Sequence, residues 1–366
     1  MPEEMFVRDP ELPAYRGTLH RTTSELLDWH GNAPREQALE PEMPIVDPHH
    51  HLYGTAGDPH HYLLEDIERD FAGGHKIIAT VYVEGYRSGW YPNGAQALRP
   101  VGEVQKIAAL AQSGIRHPQG PRDLAAGIVS HADLLLGENV AEVLEAQLEA
   151  AGGRLRGVRH AVAYEEGAVG QFTLHPAKPH LLADTAFRQG LAQVQRLGLS
   201  FDAWLYHPQL GELVDLADAF PDLPIVLNHV GGVIGVGPYR ADRAAALSRW
   251  RHDLARLAAR PNVFVKVGGM GMPVFGFGFE HRTRPPGAAE LVQAWQPLID
   301  ACVDVFSPQR CMFEGNFPVD KQSCGYTELW NAFKLATRSL SSAERAALFR
   351  ETACRVYRLS VDARSG

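Results

Sequence analysis

From residue 45 onward the chain alternates short β-rich runs with long helical stretches, and no other feature narrows its fold as much. The β-rich runs cover 45–51, 76–84, 126–130, 155–160, 199–205, 225–229, 263–267 and 311–317. Helical patterns cover 101–113, 139–151, 184–197, 209–220, 240–259 and 288–305, with 328–340 and 342–357 after the last strand. Eight strands alternating with helices predict an α/β fold, a (β/α)8 TIM barrel with enlarged βα loops. A doubly wound open sheet is the alternative. It calls for a glycine-rich phosphate fingerprint after the first strand, where this chain reads HHHLYG. Residues 1–44 are polar and carry six prolines, with only a short helical pattern near 23–29. They are expected to form an N-terminal extension to a single barrel domain, 45–366.

Composition removes several function classes. The chain has 366 residues and a net charge of −8 with no dense block of either sign, which argues against nucleic acid or an anionic membrane as partner. No apolar run approaches the roughly 20 residues of a spanning helix, and the start lacks a signal-peptide pattern. A cytoplasmic protein acting on a small molecule is expected, with a homodimer as the base-rate assembly. The four cysteines lie beyond position 300 without a CxxC pair and read as buried thiols.

Histidine is the residue type that points to chemistry. Thirteen of the seventeen histidines fall between positions 49 and 229. In Asp47-Pro48-His49-His50-His51 strand alternation puts Asp47, His49 and His51 on one face and His50 on the other. Two imidazoles at that spacing can converge on one ion or one water. His229 closes the sixth strand in LNHVGG, as His49 and His51 close the first. In MFEGNFP at the eighth strand, parity groups Met312, Glu314 and Asn316. Active sites of this fold are assembled from such strand ends, and glycine- and proline-rich loops follow the second, sixth and seventh strands.

With these motifs in view, the chain resembles the amidohydrolase superfamily, within it the group that includes 2-pyrone-4,6-dicarboxylate hydrolase and sugar lactonases. The resemblance runs from about 45 to 357. It rests on DxHxH at Asp47, His49 and His51, GVRH at 157–160, LSFD-x4-HPQL at 199–210, LNHVGG at 227–232, VKVGG at 265–269 and FEGNFPVD at 313–320. It implies that His49, His51 and His229 ligate one divalent metal, zinc first among them, or act directly on water and carbonyl without a metal. Relatives carry an aspartate as general base where this chain has Asn316, and an amide cannot take a proton from water. Three substitutes are open: water acidified by a metal and oriented by Asn316, Glu314 as the base, or Glu84, which ends the second strand with Thr80 and Tyr82 on its face. The fifth-strand histidine of some relatives is also missing, with Asp202 and Trp204 on that strand and His207 slightly later.

Lys266 and His160 are candidates to stabilise an oxyanion. A lysine inside a barrel is costly unless paired. Arg159 and His160 fall on opposite faces, so at most one of them faces the mouth, and a rim salt bridge would account for Arg159 equally well. Arg282, with His281 and Arg284, lies on the long seventh loop and either reaches substrate or is solvated. His60, His61, His175 and His180 read as loop residues. The leading reading is a hydrolase of a small cyclic ester or amide; a decarboxylase of the same superfamily and a ligand-binding barrel without catalysis stand beside it. Whether Glu314 or Glu84 lies within hydrogen-bond reach of the three histidines separates an enzyme from a barrel that lost its base with Asn316.

Overall fold

The computed structural model describes residues 21–361, apart from 34, 86–87, 114, 118–119, 168 and 171–176. Eight strands, each parallel to the next, form the barrel: β1 (Ile45–His50), β2 (Ile77–Val83), β3 (Gly120–Ser130), β4 (Leu155–Arg159), β5 (Ser200–Ala203), β6 (Ile225–Leu227), β7 (Val263–Val267) and β8 (Cys311–Phe313). The ring closes where the chain beyond β8 meets β1. The Asn316 N–H donates to the His49 carbonyl and the His51 N–H to the Phe317 carbonyl, both at 2.8 Å.

The expected alternation of strands and helices is present. After helix α1 (Thr23–Gly31), each strand is followed by one of α2 (Leu64–Phe71), α3 (Val101–Ser113), α4 (Val140–Ala150), α5 (Thr185–Arg196), α6 (Leu210–Ala219), α7 (Arg243–Ala258), α8 (Ala288–Phe306) and α9 (Tyr326–Ala336). Helix α2 and a short strand, Ile115–His117, antiparallel to the start of β3, were not expected. Helix α2 is eight residues long and five of them are charged, so its buried apolar residues reduce to Ile67 and Phe71.

One apolar layer lies between strands and helices and a second fills the barrel. The inner layer contains Val46, Val81, Val83, Val129, Val226 and Met312, and receives Val356 and Tyr357 from the C-terminal segment. There Ser342–Ala346, the π-helical Ala347–Glu351 and Thr352–Val356 run on from one another. The Thr352 hydroxyl donates to the Gln309 carbonyl at 3.1 Å, just ahead of β8, so this segment closes the end of the barrel where strands begin.

Ahead of β1, helix α1 carries a capping box between Thr22 and Glu25. Trp29 Nε1 donates to the Arg282 carbonyl and His30 Nε2 meets the Lys321 carbonyl, each at 2.8 Å, which places α1 across the seventh and eighth βα loops. Cys302, Cys311 and Cys324 are buried thiols and Cys354 is half-buried. No helix among the described residues is long and apolar enough to cross a membrane.

Candidate active site

The site is built where β1, β6 and β8 end. The pleat of β1 is irregular between Asp47 and His50. Parity therefore fails at Asp47: its carboxylate accepts from the Gly315 N–H (2.8 Å), the Tyr326 hydroxyl of α9 (2.9 Å) and the His49 backbone N–H (3.2 Å), and is turned from the imidazole rings. His50 also turns out, with Nε2 on Thr80 Oγ1 at 2.9 Å. His49 and His51 remain together, Nε2 to Nε2 at 3.3 Å. His51 Nδ1 lies 2.9 Å from the Val83 carbonyl. A carbonyl only accepts, so His51 carries its proton on Nδ1 and directs the Nε2 lone pair toward His49.

His229 lies just past β6 in the left-handed region, φ +54°, followed by Val230 at +47°. Non-glycine residues seldom hold that conformation in sequence, and the sixth strand ends two residues earlier than expected because of it. The eighth likewise stops at Phe313, three residues before Asn316 with φ +50°. Glu314, the first residue beyond β8, reaches both histidines. Its Oε1 accepts from His229 Nδ1 at 2.7 Å and from the His229 N–H at 3.2 Å. Its Oε2 lies 2.9 Å from His49 Nδ1, at an angle that makes no hydrogen bond. Two glycines after β7 make room for this meeting. A Cβ at Gly268 would lie 2.4 Å from Glu314 Cγ, and one at Gly269 2.3 Å from His229 Nδ1.

Charged pairs flank the histidines. The Arg159 guanidinium, from the end of β4, donates through Nε to Glu84 Oε1 at 2.7 Å and through a terminal nitrogen to the Glu84 carbonyl at 2.9 Å. Its other terminal nitrogen stands 3.4 Å from His49 Nε2. Glu84 lies just beyond β2 and turns to Arg159, whereas Tyr82 faces Glu103 of α3, so the two do not share a face. Lys266 is fully buried. Its ammonium is held by Asp202 at 2.7 Å and reaches His49 Nδ1 at 3.3 Å, so it supports the histidine instead of opening to the mouth. Asp202 is further bound by Asn228 Nδ2 (3.1 Å) and the Tyr357 hydroxyl (2.9 Å). Asn228 and Tyr357 were not singled out in the sequence; Tyr357 lies in an ordinary apolar helical pattern.

Burial sets the protonation states. It lowers His49, His51 and His229 well below the usual 6.5, helped by Lys266 and Arg159, and leaves them neutral. It pushes the Glu314 carboxyl up to about 8, against the opposing pull of Lys266, the His229 N–H and Arg159.

The remaining candidates fall outside this cluster. His160 Nδ1 accepts the Leu134 N–H at 3.1 Å and its ring packs on His131 and Phe187. His207 Nδ1 accepts the Ile234 N–H at 3.2 Å, which ties the fifth loop to the sixth. Arg282 pairs with Glu290 of α8 at 2.7 Å and covers Phe279, so it is turned to the helical shell. His60 and His61 bond loop carbonyls, His180 meets Glu212, and His175 lies outside the described residues.

The donor set suits a divalent ion. Ligand atoms of His49, His229 and Glu314 lie within 4.8 Å of one another, and Glu314 Oε2 is buried without a hydrogen bond. The 3.3 Å between Nε2 of His49 and of His51 is also the separation of two nitrogens on a tetrahedral ion with bonds of roughly 2.0–2.1 Å.

Comparison with known proteins follows the same line. The amidohydrolase family model matches residues 46–359. The protein y4mH of Sinorhizobium fredii, itself uncharacterized, is 28% identical over 330 residues, which are 87% of this chain and 99% of that one. An L-fucono-1,5-lactonase of Burkholderia multivorans is 31% identical over 219 residues, 60% of this chain and 68% of its own. A crystal structure of a B. multivorans amidohydrolase with bound zinc superposes with a TM-score of 0.64 at 26% identity, covering 87% of this chain and all of the other.

Proposed function

Because the chain belongs to the amidohydrolase family and is a hydrolase by that membership, we propose that it opens a small cyclic ester of the sugar-lactone type. The observation that carries the reading is Glu314 within 2.9 Å of both His49 and His229. A barrel that had lost its acid with Asn316 would have no reason to bury a carboxyl against two histidines. The lactonase relative supplies the substrate class.

Water adds to the lactone carbonyl carbon, and its proton goes to Glu314 Oε2, a carboxyl that exchanges protons close to neutral pH. The carbonyl oxygen, which becomes the oxyanion, is met by the terminal nitrogen of Arg159 that faces His49; the other two donors keep the guanidinium in place through Glu84. As the ring C–O bond breaks, Glu314 returns the proton to the leaving alkoxide and a hydroxy acid is released. Lys266, paired with Asp202, holds a positive charge behind His49 and touches no substrate. Trp204, whose ring meets that of His229 edge-on at 5.0 Å, forms an apolar side wall. His49 and His229, with His51 and Glu314 beside them, would hold a divalent ion; when bound, such an ion supplies Lewis acidity and lowers the pKa of water toward about 7.

The test is a panel of sugar lactones and aromatic carboxylates offered to the purified protein, with its metal content measured in parallel. Lactone opening is expected. Release of carbon dioxide without lactone opening makes it a decarboxylase, and no turnover of either class supports a ligand-binding barrel.

A further inference from the structure

We propose that Asp320 is a positioning residue of the hydrolytic site, holding the Asn316 carboxamide so that its oxygen, and not its NH2 group, is offered to what binds there. The proposal rests on the hydrolase reading above and names the part that Asn316 plays in it. Asn316 stands against the first histidine, its N–H on the His49 carbonyl at 2.8 Å. Its side-chain Nδ2 donates to Asp320 Oδ1 at 2.8 Å. The other oxygen of Asp320 accepts the Gly271 N–H at 2.9 Å, and the Asp320 N–H returns to the Asn316 carbonyl at 3.0 Å. Asp320 is fully buried. A Cβ at Gly271 would come within 2.9 Å of the carboxyl, so glycine there allows the backbone N–H to approach.

Burial pushes the Asp320 carboxyl well up, and the Gly271 N–H and the Asn316 NH2 oppose that by bonding its two oxygens. With the NH2 of Asn316 on Asp320, the amide oxygen points the other way from the same planar carbon. The side chain is thereby reduced to an acceptor, suited to a hydrogen of water or of a substrate hydroxyl. Exchange of the two residues preserves the pattern: in Asn316→Asp with Asp320→Asn, the new amide accepts from Gly271 and donates to the new carboxylate. Each single change breaks it. Asn316→Asp sets two acceptors face to face, and Asp320→Asn turns either its NH2 onto the Gly271 N–H or its NH2 onto that of Asn316.

Two readouts on the intact protein test this. In protein labelled with 15N-asparagine, the Asn316 side-chain amide, identified by its loss in Asn316→Asp, should give exchange-protected signals that Asp320→Ala renders unprotected. With a lactone that the wild type opens, Asp320→Asn should lower kcat about 100-fold with KM within threefold, and the double exchange should exceed Asn316→Asp at least tenfold in kcat. Unprotected signals in the wild type, an Asp320→Asn kcat within twofold of wild type, or a double exchange that regains stability without kcat each overturn the proposal. If the wild type opens no lactone, the lactonase reading falls, and the amide signals alone decide whether Asp320 locks Asn316.

Discussion

Glu314 is the side chain on which the proton transfers turn, so its removal has a large expected effect. Glu314→Gln keeps the shape and one acceptor but takes no proton, and kcat should fall about 100-fold or more in steady-state assays while the thermal transition persists. The sign of the pH dependence follows from the same group. Glu314 is protonated below about 8 and must be ionised to accept a proton, while the histidines stay neutral across this range. In chelator-treated enzyme kcat/KM should therefore rise with pH to a plateau above about 8, and a profile that falls from pH 6 to 8 contradicts the assignment. Arg159→Lys loses the forked grip on Glu84 and should cost roughly 10- to 100-fold in kcat/KM. His49, His51, His229 and Glu314 were legible because each ends a strand in a barrel whose chemistry gathers at strand ends. The pairing of Lys266 with Asp202 was not, since those residues are 64 positions apart and meet only when β5 and β7 curve toward one another.

Elements hold the site through their ends more than through their lengths. Gly269 follows β7 at φ +65°, and a methyl group there would strike the His229 ring. Gly269→Ala should cost about 2–4 kcal/mol, read as a lower midpoint in denaturant titration, together with lost activity. An unchanged midpoint would mean that the loop after β7 yields without cost. The VKVGG motif was visible in the sequence, but its role was not, because it depends on which residues of β6 and β8 pack across it. The strand ends were overestimated at β6 and β8 for a related reason. Periodicity shows where apolar residues alternate, and it does not show where His229 and Asn316 turn the backbone left-handed. In β1 the pleat fails at Pro48, so Asp47, expected beside the histidines, became the tie to β8 and α9 instead.

The whole molecule depends on its C-terminal segment to close the barrel. Leu348, Phe349, Val356 and Tyr357 are buried there, each worth roughly 1.5–3 kcal/mol by burial, a sum that rivals the usual 5–15 kcal/mol stability of a domain. A chain ending at Leu340 should therefore show no cooperative transition in calorimetry; a sharp transition near the wild-type temperature would contradict the closure. The alternation that specified the barrel was legible apart from α2, whereas the use of the last helix as a floor was not, because its apolar pattern suits an outer helix equally well. Glu314 as the proton acceptor of a lactonase is tested most directly by the ring opening of a sugar lactone by the wild type and by Glu314→Gln, followed by acid release. Turnover by the wild type and a loss of about 100-fold or more in the variant are expected. Equal rates from both, or carbon dioxide release from an aromatic acid with no lactone opening, would contradict it.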